Sequence, residues 1–255
     1  MLNKIGLVMP THWSRKGHQN GSWGPPNTGW IEKTLRTLYK KCPDAREIET
    51  TIVLNHHGGP LQYADTLRQY CTDMNYNFRM DASAGFRGVR LNMCDWFKKD
   101  YLFLCEHDWK WKVNIDLTKI IRTFEEHSHV NYIRFNKRTN HPKQVLTATK
   151  RNGGDLYLIK DEALEIDLLH TPQYSNTPHI ERITKYYEWC RLVRHGKHKG
   201  VNVGGNMGAG GFEHPLQEES LDDLEKLGIE ERNKKWGTYI YGKIGDPTAV
   251  EHFGV

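Results

Sequence analysis

The first half of the chain alternates short apolar runs with longer segments in which apolar residues recur every three or four positions. Short apolar or β-branched runs between polar loops are typical of buried strands, and the longer periodic segments are typical of helices that bury one face. The pattern predicts strands over 4–10, 49–54, 76–80, 100–105 and 130–135, with helices over 31–41, 61–74, 89–97 and 117–124. This alternation predicts an α/β fold, with a mostly parallel sheet and helices on both faces.

The second half of the chain is less regular. Its pattern predicts a strand over 155–159, a helix over 180–193 and a short helix over 220–227. Ser220 is expected to cap the short helix and Gly228 to end it. The glycine-dense segment 204–211 predicts a flexible loop, because glycine loses the most backbone entropy when it is ordered. With 255 residues, we expect a single domain with an irregular C-terminal lobe.

Composition and short motifs narrow the class of protein. No apolar run is long enough for a transmembrane segment, and the amino end has no signal-peptide layout, so we expect a cytoplasmic protein. The five cysteines are odd in number and include no C-x-x-C pair, which predicts reduced core thiols. The formal charge of +5 favours an anionic partner such as a nucleotide, a nucleic acid or a membrane surface. Motifs of zincin proteases and α/β-hydrolases are absent from the sequence.

Candidate chemistry begins where the most strand-like run ends. Glu106, His107 and Asp108 follow that run directly, and ligands of open α/β sheets bind beyond the carboxyl ends of the strands. A carboxylate at this place can hold a hard divalent cation that bridges two phosphates. Alternatively, Asp108 caps the next helix, and its position alone does not decide between the two roles.

The segment 84–92, followed by a helix and then by 101–108, resembles a known family. It is similar to the glycine-rich loop, the Arg-Asn helix start and the Asp-x-Asp strand end of GT-A (Rossmann-like) nucleotide-sugar glycosyltransferases, including family 2-like enzymes. The Glu-His-Asp-Trp sequence also resembles glycosyltransferases of phages and large DNA viruses. The resemblance covers residues 1–136 and extends only thinly beyond them.

The resemblance implies a Mn²⁺ or Mg²⁺ ion held by Asp108, with Glu106 in the place of the first aspartate. That departure leaves the role of Glu106 open. His252 would be a late metal ligand, unless it lies in a frayed chain end. The residues that the resemblance leads us to expect around the UDP-sugar donor are Thr11, Trp13, Asn55, Gly85, Arg87, Arg90, Asn92 and Glu106.

The resemblance also implies a catalytic carboxylate after the core sheet, and Glu213 is our candidate. It would act as the base of an inverting hexosyl- or pentosyltransferase, on a loop whose hinge is the glycine-dense segment 204–211. The alternative is a surface glutamate before a helix. Under this hypothesis, residues 1–136 bind the nucleotide sugar, and residues 137–255 bind the acceptor and carry the base.

Two other functions remain open at the level of sequence. A nucleotidyltransferase also combines a Gly- and Arg-containing loop with metal-binding carboxylates, but it releases pyrophosphate rather than a nucleoside diphosphate. A nucleic-acid-binding module would use basic residues near tryptophans. These residues are Lys98, Lys99, Lys110, Lys112, Arg134, Lys137 and Arg138. An enzyme that glycosylates a hydroxymethylated DNA base would also need a basic face, so the acceptor is either a glycan or modified DNA.

Overall fold

The computed structural model describes residues 1–12, 28–55, 61–82, 85–141, 143–144, 156–157, 159–172, 174–198 and 210–253. The helices in these ranges are α1 (Gly29–Lys41), α2 (Leu61–Asp73), α3 (Gly85–Trp96), α4 (Leu117–Glu126), α5 (Ile183–His195) and α6 (Gly210–Trp236). The strands are β1 (Ile5–His12), β2 (Glu49–Asn55), β3 (Asn77–Asp81), β4 (Tyr101–Leu104), β5 (Trp109–Trp111), β6 (Tyr132–Arg134), β7 (Lys143–Gln144), β8 (Leu156–Tyr157), β9 (Ile159–Lys160), β10 (Leu168–His170), β11 (His179–Arg182), β12 (Thr238–Tyr241) and β13 (Val250–His252).

Nine strands form one sheet in the order β3-β2-β1-β4-β11-β6-β12-β10-β9. The first four strands of this order are parallel to one another, and β6 and β12 are also paired in parallel. Among the described strands of this sheet, β10 and β11 run against the others. The α/β fold with a mostly parallel sheet is therefore confirmed.

Helices cover both faces of this sheet, as the pattern predicts. On one face, apolar residues of α1, α2 and α4 pack against alternate residues of β1, including Ile5, Leu7 and Met9. On the other face, Val8 packs with residues of α3, α5 and α6. Side chains of successive strand residues point to opposite faces, so the apolar run Ile5–Met9 of β1 supplies both layers of the core.

The second half differs from the sequence prediction in two places. The segment predicted as one helix over 180–193 begins with strand β11, and helix α5 starts only at Ile183. The helix predicted over 220–227 is part of α6, so Ser220 is not a cap, and its hydroxyl instead donates to the carbonyl oxygen of Pro172 at 2.8 Å. Helical geometry is interrupted at Gly228, whose φ is +76°, so the predicted stop is confirmed there.

The sequence also led to expectations about the state of the cysteines and about membrane-spanning segments. All five cysteines are free thiols, and four of them are buried. No helix in the described part of the chain is both long enough and apolar enough to cross a membrane.

Candidate functional site

The carboxyl ends of the first four strands bring candidate residues to one edge of the sheet. His12, Asn55 and Asp81 are the last residues of β1, β2 and β3, and the register places them side by side. The segment after β4 reaches the same edge, where the ring centroid of His107 lies 5.3 Å from that of His12. Ligands bind outside this end of the strands in open α/β sheets. This edge is therefore the candidate site.

Asp108 and His252, the two predicted metal ligands, lie next to each other at this edge. Strands β5 and β13 are antiparallel and place His252 opposite Trp109. The Nδ1 atom of His252 is 3.4 Å from Oδ2 of Asp108, and its ring lies 3.7 Å from the ring of Trp109. His252 thus belongs to a paired strand and not to a frayed end.

Asp108 does not cap a helix, because strand β5 follows it directly. The next helix, α4, is capped by Asp116, whose Oδ1 accepts a hydrogen bond from the backbone N–H of Lys119 at 2.9 Å. The alternative role that the sequence left open for Asp108 is therefore wrong.

The side chain of Asp108 has the properties of a cation ligand. Its Oδ1 atom is buried and has no hydrogen-bond partner among the described residues. Burial acts to raise the pKa of Asp108, but the hydrogen bond with His252 and electrostatic interactions with His107 and His252 lower it below its usual value. A buried, ionised carboxylate oxygen without a partner is costly unless a cation compensates it.

The donor atoms of the pair suit a divalent metal. Carboxylate oxygen is a ligand for both Mg²⁺ and Mn²⁺, and imidazole nitrogen is the softer ligand that transition metals accept. Within the described residues, no group of three His, Cys, Asp or Glu side chains is assembled for a metal. The Asp108–His252 pair supplies two such donor atoms.

Glu106 connects this pair to the predicted catalytic glutamate. Burial and then the negative charge of Asp108 raise the pKa of Glu106 to about 8, and Glu213 acts in the same direction. Arg90 and Lys137 act against them. Glu106 is therefore within electrostatic range of both Asp108 and Glu213.

Glu213 lies in the first turn of α6 and not on a loop. Its Oε2 atom accepts a hydrogen bond from Nδ2 of Asn176 at 3.1 Å, and its Oε1 atom accepts one from Nε2 of Gln217 at 2.9 Å. The sequence did not identify Asn176 or Gln217. The spacing of Glu213 and Gln217, one helical turn apart, is the signal that pairs them. Residues 204–209 of the expected hinge lie outside the described residues.

The resemblance implied that Arg90 faces the nucleotide-sugar donor. In the structure, Arg90 points into the protein interior instead. Its side chain is fully buried, and its guanidinium forms an ion pair with Glu181 at 2.8 Å. Its Nη1 atom also donates to Oδ1 of Asn176 at 3.0 Å. Arg90 therefore supports the site from behind, through Asn176 and Glu213. The signal for burial was its helical spacing with Phe86 and Met93, which share the inward face of α3.

The folds of known proteins can now be compared with this architecture. No family model matches the chain, and no curated protein matches it. Among solved structures, it is similar to GalNAc-T7 with UDP, GalNAc and Mn²⁺, with a TM-score of 0.58 and 10% identity over 98% of this chain and 44% of that chain. The chain has the fold of GT-A glycosyltransferases.

Two further solved structures have lower TM-scores. TarS 1-349 of S. aureus has a TM-score of 0.49 and 11% identity, over 98% of this chain and 60% of that chain. A cytidylyltransferase from Leptospira borgpetersenii has a TM-score of 0.48 and 8% identity, over 96% of this chain and 79% of that chain. The chain thus spans 60% and 44% of the lengths of TarS 1-349 and GalNAc-T7.

In this GT-A fold, the other expected donor residues take different places. Asn55 ends β2, and its Oδ1 atom is buried without a hydrogen-bond partner. Gly85 begins α3 with a φ of +77°, a conformation that glycine adopts without steric cost. Asn92 donates to Oδ2 of Asp81 at 3.2 Å and so holds the end of β3.

Two of the expected donor residues, Thr11 and Arg87, have side chains that contact other helices of the fold. Thr11 is 1% exposed, and its hydroxyl lies 3.3 Å from the hydroxyl of Tyr63 on α2. Arg87 donates from Nη2 to the carbonyl oxygen of Val193 at 3.2 Å, on the side of α5. Both side chains thus contact other parts of the GT-A fold. Trp13 lies outside the described residues.

The basic residues considered for nucleic-acid binding lie in different parts of this fold. Lys110 and Lys112 both form ion pairs with Glu251, at 2.8 Å and 3.1 Å. Arg134 is 4% exposed. Lys98 and Lys99 follow α3, beside the amino ends of the strands. The residues do not make one basic face.

Proposed function

We propose that this chain is a metal-dependent glycosyltransferase that moves a hexose or pentose from a UDP-sugar to an acceptor hydroxyl, with inversion. The observation that carries the proposal is the Asp108–His252 pair at the carboxyl edge of a GT-A fold, with Glu106 in electrostatic range of both Asp108 and Glu213. The structure of GalNAc-T7, which has a similar fold, contains UDP and Mn²⁺. Fold alone does not imply function, so the proposal rests on the site.

Asp108 and His252 would hold Mn²⁺ or Mg²⁺ in this proposal. A cation at this place would neutralise the charge that develops on the departing diphosphate. The unpartnered Oδ1 of Asp108 supports the assignment, since it is the atom that a cation would satisfy. Stacking on Trp109 fixes the ring plane of His252, so its Nδ1 stays directed towards Asp108.

Glu213 would remove the proton from the acceptor hydroxyl as that oxygen attacks the sugar. A general base has to lie within hydrogen-bond reach of the proton that it takes. Asn176 and Gln217 each donate to one oxygen of the carboxylate and hold it in place. Each carboxylate oxygen can accept a further hydrogen bond. The two hydrogen bonds from Asn176 and Gln217 therefore leave Glu213 able to act as a base.

Donor and acceptor would occupy different halves of the chain. Residues 1–136 supply Asn55, Gly85 and Glu106 for the nucleotide sugar, and residues 137–255 supply Glu213 beside the acceptor. The buried Oδ1 atom of Asn55 has no hydrogen-bond partner among the described residues, which is rare for a buried acceptor. A contact with the nucleotide sugar at the end of β2 would satisfy this atom. The acceptor would be a glycan or a hydroxymethylated DNA base.

The experiment that tests this function compares the wild type with Asp108→Ala in a thermal-shift screen of nucleotide sugars, with and without Mn²⁺. A ligand present at about a hundred times its Kd should raise the melting temperature of the wild type by about 5 °C or more. The variant should lose the Mn²⁺-dependent part of the shift and should show no transfer, because Asp108 supplies a metal ligand. Asp65→Ala, at an exposed position of α2, is the matched control.

The products then separate the enzyme classes. Glycosyl transfer to glycans or to hydroxymethylated DNA releases UDP, whereas nucleotidyl transfer releases pyrophosphate. Mn²⁺-dependent turnover that survives in Asp108→Ala would exclude the metal assignment. Release of pyrophosphate by the wild type would exclude glycosyl transfer.

A further inference from the structure

A groove of about 770 Å³ lies at the opposite edge of the sheet from the candidate site. Its lining includes Gly6, Glu49 and Asn77, which lie at the amino ends of β1, β2 and β3. His12 lies six positions after Gly6 along β1, a distance of about 20 Å at about 3.3 Å per strand residue. The groove is therefore a separate surface from the carboxyl edge that carries Asp108 and Glu213.

The groove forms where the chain leaves α3 and crosses the sheet. Phe97 packs directly over Gly6, and a Cβ atom at that glycine would lie 3.1 Å from Cε2 of Phe97. This close approach forms part of the floor, together with Thr51 of β2. Trp96 and Lys98 line one part of the groove, and Arg79 of the edge strand β3 lines another.

The charges of this groove are not balanced. Lys99 pairs with Oε2 of Glu49 at 3.0 Å, and Nδ2 of Asn77 donates to Oε1 of the same carboxylate at 2.7 Å. Arg79 and Lys98 are exposed, and neither forms an ion pair with any described residue. Three cations thus line the groove with one carboxylate, which leaves two positive charges without an acidic partner.

An aromatic ring lies beside these free charges. The guanidinium carbon of Arg79 is 4.4 Å from the centroid of the Trp96 ring, and the indole is half-buried. A guanidinium over an indole makes a flat, positively charged surface. Proteins that bind single-stranded nucleic acid combine these two features, since cations contact the phosphates and bases stack on aromatic rings or on guanidinium planes.

We propose that this groove binds single-stranded nucleic acid, with Arg79 and Lys98 on the phosphates and the Trp96–Arg79 pair against a base. A single strand is favoured over a duplex, because the bases of a duplex stack on one another and offer no face to Trp96. The proposal does not depend on glycosyl transfer. The groove shares no residue with the candidate catalytic site, so either proposal can fail while the other holds.

Fluorescence anisotropy with a labelled oligothymidylate of about 12 nucleotides tests the groove, at about 50 mM and about 200 mM salt. We expect salt-sensitive binding by the wild type. Lys98→Glu and Arg79→Gln should each weaken binding about tenfold and make its salt dependence shallower, because each removes a phosphate contact. Lys234→Glu, at an exposed position on α6, is the charge-matched control and should leave binding unchanged.

Trp96→Leu separates base stacking from simple charge attraction. It should weaken binding about tenfold and leave the salt dependence unchanged, because stacking carries no net charge. Melting temperatures of all variants show whether the fold is retained. The proposal is overturned if the wild type does not bind the oligonucleotide, or if Lys98→Glu and Lys234→Glu bind alike. It is also overturned if Trp96→Leu has no effect and inorganic polyphosphate or a duplex competes as well as the single strand.

Discussion

Glu213 is held by two amide side chains whose own orientations are fixed by other hydrogen bonds. Arg90 donates to Oδ1 of Asn176 at 3.0 Å, which turns Nδ2 of Asn176 towards Glu213. Nε2 of Gln217 donates both to Glu213 and to the carbonyl oxygen of Tyr174, at 2.9 Å and 2.8 Å. The carboxylate is therefore positioned before any substrate binds, as an efficient base requires.

Glu213→Gln tests the proposed base at the scale of one residue. Glutamine keeps the shape but cannot accept the proton, so turnover should fall by about two to four orders of magnitude while the Michaelis constant for the donor barely changes. Steady-state kinetics measure both quantities. Glu230→Gln, at an exposed position of α6, is the control and should behave as the wild type.

The effect of Glu213→Gln on stability has to be separated from its effect on turnover. The amide nitrogen that Glu213→Gln introduces would meet a donor from Asn176 or Gln217, so a small fall in the melting temperature is expected together with the loss of turnover. A stable variant with near-normal turnover would show that another group takes the proton.

The environment of a single residue could be predicted when its partners lie close to it in the sequence, and not when they lie far away. The place of Asp108 near the end of a strand could be predicted because it comes shortly after an apolar run, and the adjacent sequence resembles GT-A enzymes. The ion-pair partner of Arg90 could not be found in the same way, because the carboxylate that compensates its charge is Glu181, 91 positions further on. Nothing local marks that pair, since hydrophobic patterns treat both residues as exposed.

At the scale of elements, predictions in the first half agree with the structure to within a few residues at element ends. These strands and helices are long and strongly patterned, and that is where periodicity is most informative. The pattern missed the short strand β5 in the first half, and it missed β7, β10, β11, β12 and β13 in the second half. Strand β11 is short and contains His179 and Glu181, both fully buried between β4 and β6. Buried polar residues of this kind remove the apolar signal of a central strand.

Gly85 provides a prediction about the start of α3. Its φ of +77° costs a residue with a Cβ atom about 1 to 2 kcal/mol, so Gly85→Ala should destabilise the protein by that amount. Gly228→Ala is the matched control, because its φ is +76° and an added Cβ has no neighbour within 4 Å. Urea unfolding should show similar losses of stability for both variants.

The two glycine variants should differ in donor binding. Only Gly85→Ala should raise the Michaelis constant for the nucleotide sugar, since Gly85 sets the path of the chain into α3 beside the donor. Equal donor binding by the two variants would remove Gly85 from the site.

At the scale of the whole molecule, the two halves of the chain are interleaved in one sheet. Strand β11 lies between β4 and β6, and β12 pairs with β6 on its other side. Residues 1–136 therefore leave β4 and β6 unpaired with each other when β11 is absent. The proposed donor half and acceptor half share a common core, and the candidate site takes Glu106 and Asp108 from the first half and Glu213 and His252 from the second half.

The stability of this common sheet should depend on pH through His170 of β10. Burial lowers the pKa of His170 to about 4, although the carboxylate of Asp161 acts in the opposite direction. The Nε2 atom of His170 is 3.3 Å from Oδ2 of Asp161, and its Nδ1 is buried without a partner. The ring is therefore neutral in the folded protein at neutral pH.

Protonation of His170 favours the unfolded chain. The unfolded pKa of about 6.5 lies above the folded value, so the unfolded state takes up a proton first as the pH falls. Stability should decrease between about pH 6.5 and about pH 4, by up to about 3 kcal/mol at about 1.4 kcal/mol per pKa unit. The pKa of Asp161 is itself lowered, against burial, by hydrogen bonds from Tyr239, Ala163 and His129, so the loss of its contribution belongs below about pH 4.

His170→Gln should flatten this part of the stability curve. Glutamine does not titrate and can still donate to Asp161, so the variant should lose about 2 kcal/mol less than the wild type between about pH 7.5 and about pH 5. Urea unfolding at the two pH values measures the difference, and other histidines cancel because both proteins carry them. If the two proteins lose the same stability over this interval, His170 is not the group whose protonation opposes folding of the sheet.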